Sequence, residues 1–229
     1  MALPLLVTPE YEMTLPSTKE KVKIRPFLVK EEKILLTAQQ SEDKDDQVAA
    51  VKQVLHNCIL SDIDVEKISY FDFEYLYLNI RGRSVSNILE FSFTHDCGTS
   101  QDIKLDLDTV EIKFTDGHET NIMVTDDIGV KMKYPTISKL SLFDDINEEN
   151  IFEVLENSIE YVYDQENVYD EFSSDEMKSF IESMNKTQIE RVADFFQTMP
   201  RLEHEVKYKC KGCKKNVNFT LRGLSDFFI

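Results

Sequence analysis

The segment Cys210-Lys-Gly-Cys213 has the clearest chemical content of any in this sequence. Two cysteines three positions apart on a tight turn can bring both thiolates onto one ion, and a glycine between them suits the turn. A second segment, His95-Asp-Cys97-Gly98, offers an imidazole and a thiolate with one residue between them. That spacing is less usual, but the longer imidazole can reach where a second thiolate would sit. Together His95, Cys97, Cys210 and Cys213 provide three Cys and one His, the ligand number of a closed tetrahedral zinc site. His204 is an alternative to His95 as fourth ligand. The competing readings are unligated thiols and a reversible Cys210–Cys213 disulfide.

The ligand set points to a structural Zn2+ and not a catalytic one. A catalytic ion keeps three protein ligands, an open position and a nearby base. A thioredoxin-like redox role is disfavoured because that motif belongs to a βαβ pattern, whereas Cys210 and Cys213 lie between two β-like runs. No phosphate-cradling glycine loop, Gly-x-Ser-x-Gly elbow, His-Glu-x-x-His or calcium-loop spacing occurs. We therefore expect no catalytic residues, no small-molecule substrate and no enzymatic activity. His56 and His118 read as surface or capping residues. Cys58 lies in an apolar helical stripe and reads as a small buried hydrophobe.

Each pair of ligands must be positioned by a hairpin. Leu89, Phe91 and Phe93 alternate with polar residues, as do Ile103, Leu105 and Leu107, which predicts two strands around a tip at residues 94–100. Val206 and Tyr208 lead into the second tip and Val217, Phe219 and Leu221 lead out of it. Between the hairpins, short strands are expected over 110–114, 121–124 and 130–134, with Asp116-Gly117 as a turn. Helices are expected over 150–163, over 175–184 behind a Ser173/Glu176 capping box, and over 188–198 behind a Thr187/Glu190 box. Upstream, a hairpin joins residues 12–15 to 21–27, a short helix covers 30–40, and 41–46 form a polar linker. Val48, Val51, Val54, Leu55, Cys58 and Ile59 then give an amphipathic helix. Residues 70–84 satisfy both helical and strand patterns; the helix is preferred, with Asp72, Glu74 and Arg81 on a solvated or salt-bridged face.

Strand and helix runs are segregated, so the fold class is α+β, with two β-hairpins forming a split zinc-ribbon-like element. The regions are 1–86 (hairpin and helices), 87–135 (β with the first knuckle), 136–200 (helical) and 201–229 (second knuckle, packing back on 87–135).

The 229 residues carry 43 Asp and Glu against 26 Lys and Arg, a net charge of −17. Such a balance opposes general affinity for nucleic acid, which needs clustered cations, and suits docking to a basic partner surface. Lys207, Lys209, Lys211, Lys214 and Lys215 around the second tip keep a zinc-ribbon nucleic-acid-binding regulator as the alternative function. No run has the ~18 apolar residues of a membrane helix, and no signal peptide is evident, so no membrane partner is expected and the cysteines should stay reduced.

Several segments resemble one family. Leu3-Pro4, the run from Thr8-Pro9 through Tyr11 to Pro16-Ser17, and Val22-Lys-Ile-Arg25-Pro26-Phe27 through Lys33 look like the start of T-even-type bacteriophage baseplate hub proteins. The run from Phe71 to Val85, the run Phe195-Phe196-Gln-Thr-Met199-Pro200 and the cysteine-tipped hairpins extend the likeness. The resemblance implies a late phage protein without enzymatic activity: a subunit or chaperone-like assembly factor of the contractile-tail baseplate hub. Its partners would be other hub and tail proteins. It would be found in the host cytoplasm during assembly and in the baseplate if retained.

Overall fold

A computed structural model describes residues 6–41, 43–139, 147 and 150–227. Leu3-Pro4 of the family-like opening and Glu42 of the expected linker lie outside them. The chain divides into two compact units. Unit 1 is Met1–Val65, Phe71–Lys113 and Arg201–Ile229; unit 2 is Glu66–Tyr70 and Phe114–Pro200. Both combine helices with small antiparallel sheets, a mixed α+β architecture. Among the described residues no helix is long and apolar enough to cross a membrane.

Unit 1 opens with β1 (Tyr11–Thr14) and β2 (Lys21–Ile24), paired antiparallel. The helices α1 (Val29–Ala38) and α2 (Lys44–Cys58) follow. The α2 helix starts inside the stretch read as a linker. Its expected stripe is inward: Val51, Val54, Leu55 and Cys58 are buried, and burial pushes the Cys58 thiol up to about 11, so it is an inert apolar group.

Residues Tyr70–Ser84 form the helix α3. Its periodicity was ambiguous for a physical reason: Phe71, Phe73, Leu76, Tyr77, Leu78 and Ile80 are buried around most of its circumference, the pattern of an interior helix. Asp72 and Glu74 correct the expectation of a solvated face, because both are buried. Each carboxylate is occupied by chain from elsewhere in the unit. Asp72 accepts the Ser17 backbone N–H at 3.0 Å and the Ser17 hydroxyl. Glu74 accepts the Leu224 N–H at 2.9 Å, at the start of a terminal helix α7 (Gly223–Phe227) that the sequence reading missed. These buried acids tie the first hairpin and the last helix to α3.

The two expected hairpins are present. Strands β3 (Ile88–Thr94) and β4 (Ser100–Asp106) pair with Leu89 opposite Leu105 and Phe91 opposite Ile103, so the apolar alternation falls on one face. Strands β10 (Arg201–Lys209) and β11 (Asn216–Arg222) pair with Val206 opposite Phe219. The short β5 (Glu111–Lys113) adds to the other side of β10, with Lys113 opposite Arg201.

Unit 2 contains a sheet in the order β6 (Asn121–Met123), β7 (Gly129–Met132), β8 (Ile159–Tyr163), β9 (Val168–Tyr169). Against it pack α4 (Ile151–Ser158), α5 (Ser174–Glu182) and α6 (Lys186–Thr198), around Val130, Met132, Leu155, Ile159, Val192 and Phe195. The helix expected over 150–163 stops at Ser158, and its second half is β8. Ile159, Tyr161, Val162 and Tyr163 are β-branched or aromatic, and pairing with β7 outweighs the helical spacing. The Ser173/Glu176 capping box is present. The next box is Asn185/Gln188 and not Thr187/Glu190, so α6 begins two residues earlier than expected.

His118 also departs from its sequence reading. It is half-buried, with Nδ1 2.9 Å from Thr198 Oγ1 and Nε2 3.0 Å from the Tyr134 hydroxyl. Thr198 Oγ1 donates to the Asp194 carbonyl, so His118 donates from Nδ1 and accepts at Nε2, a neutral ring. Burial lowers its pKa from 6.5. Because the unfolded chain then binds the proton more readily, the stabilisation is complete above 6.5 and is lost as pH falls toward the folded value. An NMR titration should place the His118 midpoint below 6.5, and His118→Gln should flatten the stability profile on the acid side of pH 6.5.

Candidate metal centre

The tips of the β3–β4 and β10–β11 hairpins meet within unit 1. In the first, Gly98 takes φ +79° and donates its N–H to the His95 carbonyl, while the His95 N–H bonds to Thr99. That tight loop holds the imidazole and the Cys97 thiol together, with Nδ1 3.1 Å from Sγ. In the second, the Cys210 N–H bonds to the Lys215 carbonyl and the Lys214 N–H to the Cys210 carbonyl. Lys214 supplies the left-handed residue at φ 63°.

Across the tips, Cys97 Sγ lies 3.6 Å from Cys210 Sγ, and Cys213 Sγ lies 3.6 Å from His95 Nδ1. The four candidate ligand atoms all fall within 4.8 Å of one another. A tetrahedral zinc site with ordinary bond lengths has S–S edges of roughly 3.8 Å and S–N edges of roughly 3.5 Å. The two separations across the tips are close to those edges, while the 3.1 Å between His95 Nδ1 and Cys97 Sγ is shorter than an S–N edge. This tetrad is a cluster that could hold a metal ion. His204 is not part of it. On β10, six residues of extended chain carry it roughly 20 Å from Cys210.

Electrostatics in the cluster are uneven. Cys210 is buried, Cys97 exposed, and His95 and Cys213 half-buried. Hydrogen bonds from Thr99, then from the imidazole of His95, lower the Cys97 thiol to about 5. The Cys213 thiol is held above 9.0: a hydrogen bond from the Lys215 backbone lowers it, but burial and the neighbouring Cys210 and Cys97 outweigh that. A cation would relieve this crowding of sulfurs.

Gln101 carried no signal in the sequence, and Phe93, Tyr208 and Phe219 signalled only their strands. The Gln101 side-chain oxygen accepts the Lys211 N–H at 2.8 Å, bridging the tips. Phe93 stacks on Phe219 with centroids 4.4 Å apart, and Tyr208 packs edge-on against both. The Tyr208 hydroxyl is buried with no hydrogen-bond partner among the described residues, and burial and the charges of Cys210, Cys97 and Cys213 raise its pKa.

Gly212 has a steric role as well. A Cβ there would stand 2.0 Å from Thr99 Oγ1 and 3.0 Å from Thr99 Cβ. The first tip fills the space a side chain would need. Gly212→Ala should therefore lower stability by about 1–3 kcal/mol in a denaturation experiment. Adding Thr99→Ala should restore part of it. Equal stability of Gly212→Ala and the parent would mean that the tips do not meet in solution.

Fold and site together define a two-unit α+β protein whose two distant hairpins are joined at a Cys/His tetrad able to hold a metal ion. The family model described as T4 bacteriophage base plate protein matches residues 8–229, and the chain belongs to that family. It is thus a phage baseplate protein, as the sequence resemblance implied. No curated protein and no solved structure matches it.

Proposed function

We propose that this chain is a non-enzymatic component or chaperone-like assembly factor of the baseplate hub, acting through contacts with other hub and tail proteins. One Zn2+, bound by His95, Cys97, Cys210 and Cys213 in a split zinc-ribbon-like element, serves as a structural cross-link. It works in the host cytoplasm during assembly and in the tail baseplate where it is retained. The carrying observation is the convergence of the tetrad, whose Cys97 and Cys210 are 113 residues apart, in a chain of a baseplate family. A closed ligand set of three sulfurs and one nitrogen leaves no position for substrate.

Two measurements test this. The purified protein should hold close to one zinc per chain, and Cys213→Ser should hold almost none; an absence of metal from both removes the cross-link. On co-expression with hub proteins, the chain should co-elute with at least one of them in gel filtration. Elution as a lone species from every combination removes the assembly role.

The exposed lysines 207, 209, 211, 214 and 215 favour a second reading, a nucleic-acid-binding zinc ribbon. A gel shift that weakens steeply with salt would establish it.

A further inference from the structure

The chain's acidity is concentrated in one place. Unit 2 carries 21 Asp and Glu against 7 Lys and Arg, a net −14 of the −17. The stretch from Glu160 to Glu176 has seven carboxylates and no Lys or Arg. That stretch borders a cavity of about 370 Å³ in unit 2. Ile128, Val162, Phe172, Met177 and Phe180 give the cavity an apolar floor, and Asp164, Glu171 and Glu176 line it with charge.

The acids differ in what they already do. Asp164 accepts the N–H groups of Glu166 and Asn167 and the Tyr169 hydroxyl, which fixes its place at the rim. Glu176 is held by the Ser173 cap. Glu171 is exposed and has no hydrogen-bond or ion-pair partner among the described residues. Beside the cavity runs β9, an outer strand of its sheet, with Val168 and Tyr169 both exposed.

We infer that this cavity is a docking site for a basic segment of a partner protein that inserts an apolar side chain between Phe172 and Phe180 and sets Lys or Arg against Glu171 and Asp164. The volume is near the lower end of ligand-sized pockets, enough for one or two anchor side chains. Cations flanking the anchor meet a local field that no residue of the same stretch neutralises, so charge gives the encounter and the apolar floor gives the hold. The occupant being a protein segment rests on the assembly reading above; the cavity and its charge do not.

The test uses the full chain and a short fluorescein-labelled peptide alternating Lys with Leu around a central Phe, read by anisotropy. Saturable binding that weakens with salt is expected. Glu171→Lys and Phe180→Ala, each checked by circular dichroism for an intact fold, should each weaken binding at least tenfold. A matched peptide with Glu for Lys should not bind, and one with Ala for Leu and Phe should bind at least tenfold more weakly. If the Ala peptide binds equally, or if Glu10→Lys in unit 1 weakens binding as much as Glu171→Lys, net charge is the whole effect and the site is overturned. Concentration-dependent dimerisation lost in Phe180→Ala would instead assign the cavity to a second copy and also overturn it. Probe binding without capture of any hub protein would leave the site standing and remove the assembly reading; hub capture unaffected by either substitution, with no probe binding, would do the opposite.

Discussion

Cys210→Ser is expected to abolish metal binding and to lower the thermal midpoint of unfolding by about 10 °C. The estimate follows from linkage: an ion present a thousandfold above its Kd, binding only the folded chain, adds about 4 kcal/mol. For a chain of this size each kcal/mol moves the midpoint by about 2–4 °C. Cys210 is the candidate ligand with the most to lose, since its side chain is buried and its sulfur lies against Cys97. Calorimetry with and without chelator provides the check. Chelation should bring the parent protein down to the Cys210→Ser midpoint and leave the variant unmoved. Cys58→Ala should keep its metal, because that thiol is buried in α2, outside the cluster. A parent protein indifferent to chelator would show that the hairpins are held by packing alone.

Glu31→Ala should cost about 3–5 kcal/mol, the usual penalty for stranding the partner of a buried charge. The Glu31 carboxylate is fully buried on the first turn of α1. It accepts from Arg25 Nη2 at 3.0 Å and from the Leu28 N–H at 2.8 Å, so it pairs a charge and caps a helix at once. The side chain of Arg25 is only 13% exposed and would keep its charge with a single carbonyl contact, Pro26 O. Replacing both residues by leucine should recover much of the loss, because the desolvation of two ions disappears with them. Burial raises the Glu31 pKa, but the bonds from Arg25 and Leu28 outweigh it and hold the group below 4.5. Its stabilisation is therefore complete above 4.5 and drains away as pH falls through the lowered folded value. Urea titrations of the parent protein should show that acid-side loss, and in Glu31→Gln it should be smaller.

The parts legible in the sequence were those whose signal is local. Leu89, Phe91 and Phe93 declare a half-buried strand by alternation, and Ser173 with Glu176 declares a helix start, because each pattern is complete within a few residues. The tetrad was legible for another reason. Cysteine and histidine at tight turns have few other uses in a reduced protein, so ligand type narrowed the reading where spacing did not. What failed was decided by distant chain. Nothing near Asp72 or Glu74 says that Ser17 and Leu224 will supply their donors, so both looked like surface acids. Ile159 to Tyr163 continue a helical pattern on paper, and only pairing with β7 makes them a strand. His118 owes its burial to Tyr134 and Thr198, the latter 80 residues away.

The pairing of Lys113 with Arg201 sets an order in time. The polypeptide leaves unit 1 after β5 and rejoins it at the neighbouring strand β10, so the larger part of unit 2, Phe114–Pro200, is an excursion between adjacent strands of one sheet. During synthesis, residues up to Pro200 emerge before β10 and β11 exist. The excursion can fold while the β3–β4 hairpin still waits, its Cys97 thiol facing solvent without a partner tip. The two tips cannot meet until Cys210 and Cys213 have been synthesised. A nascent chain arrested before that point would carry all of the acidic stretch 160–176 and only half of the tetrad.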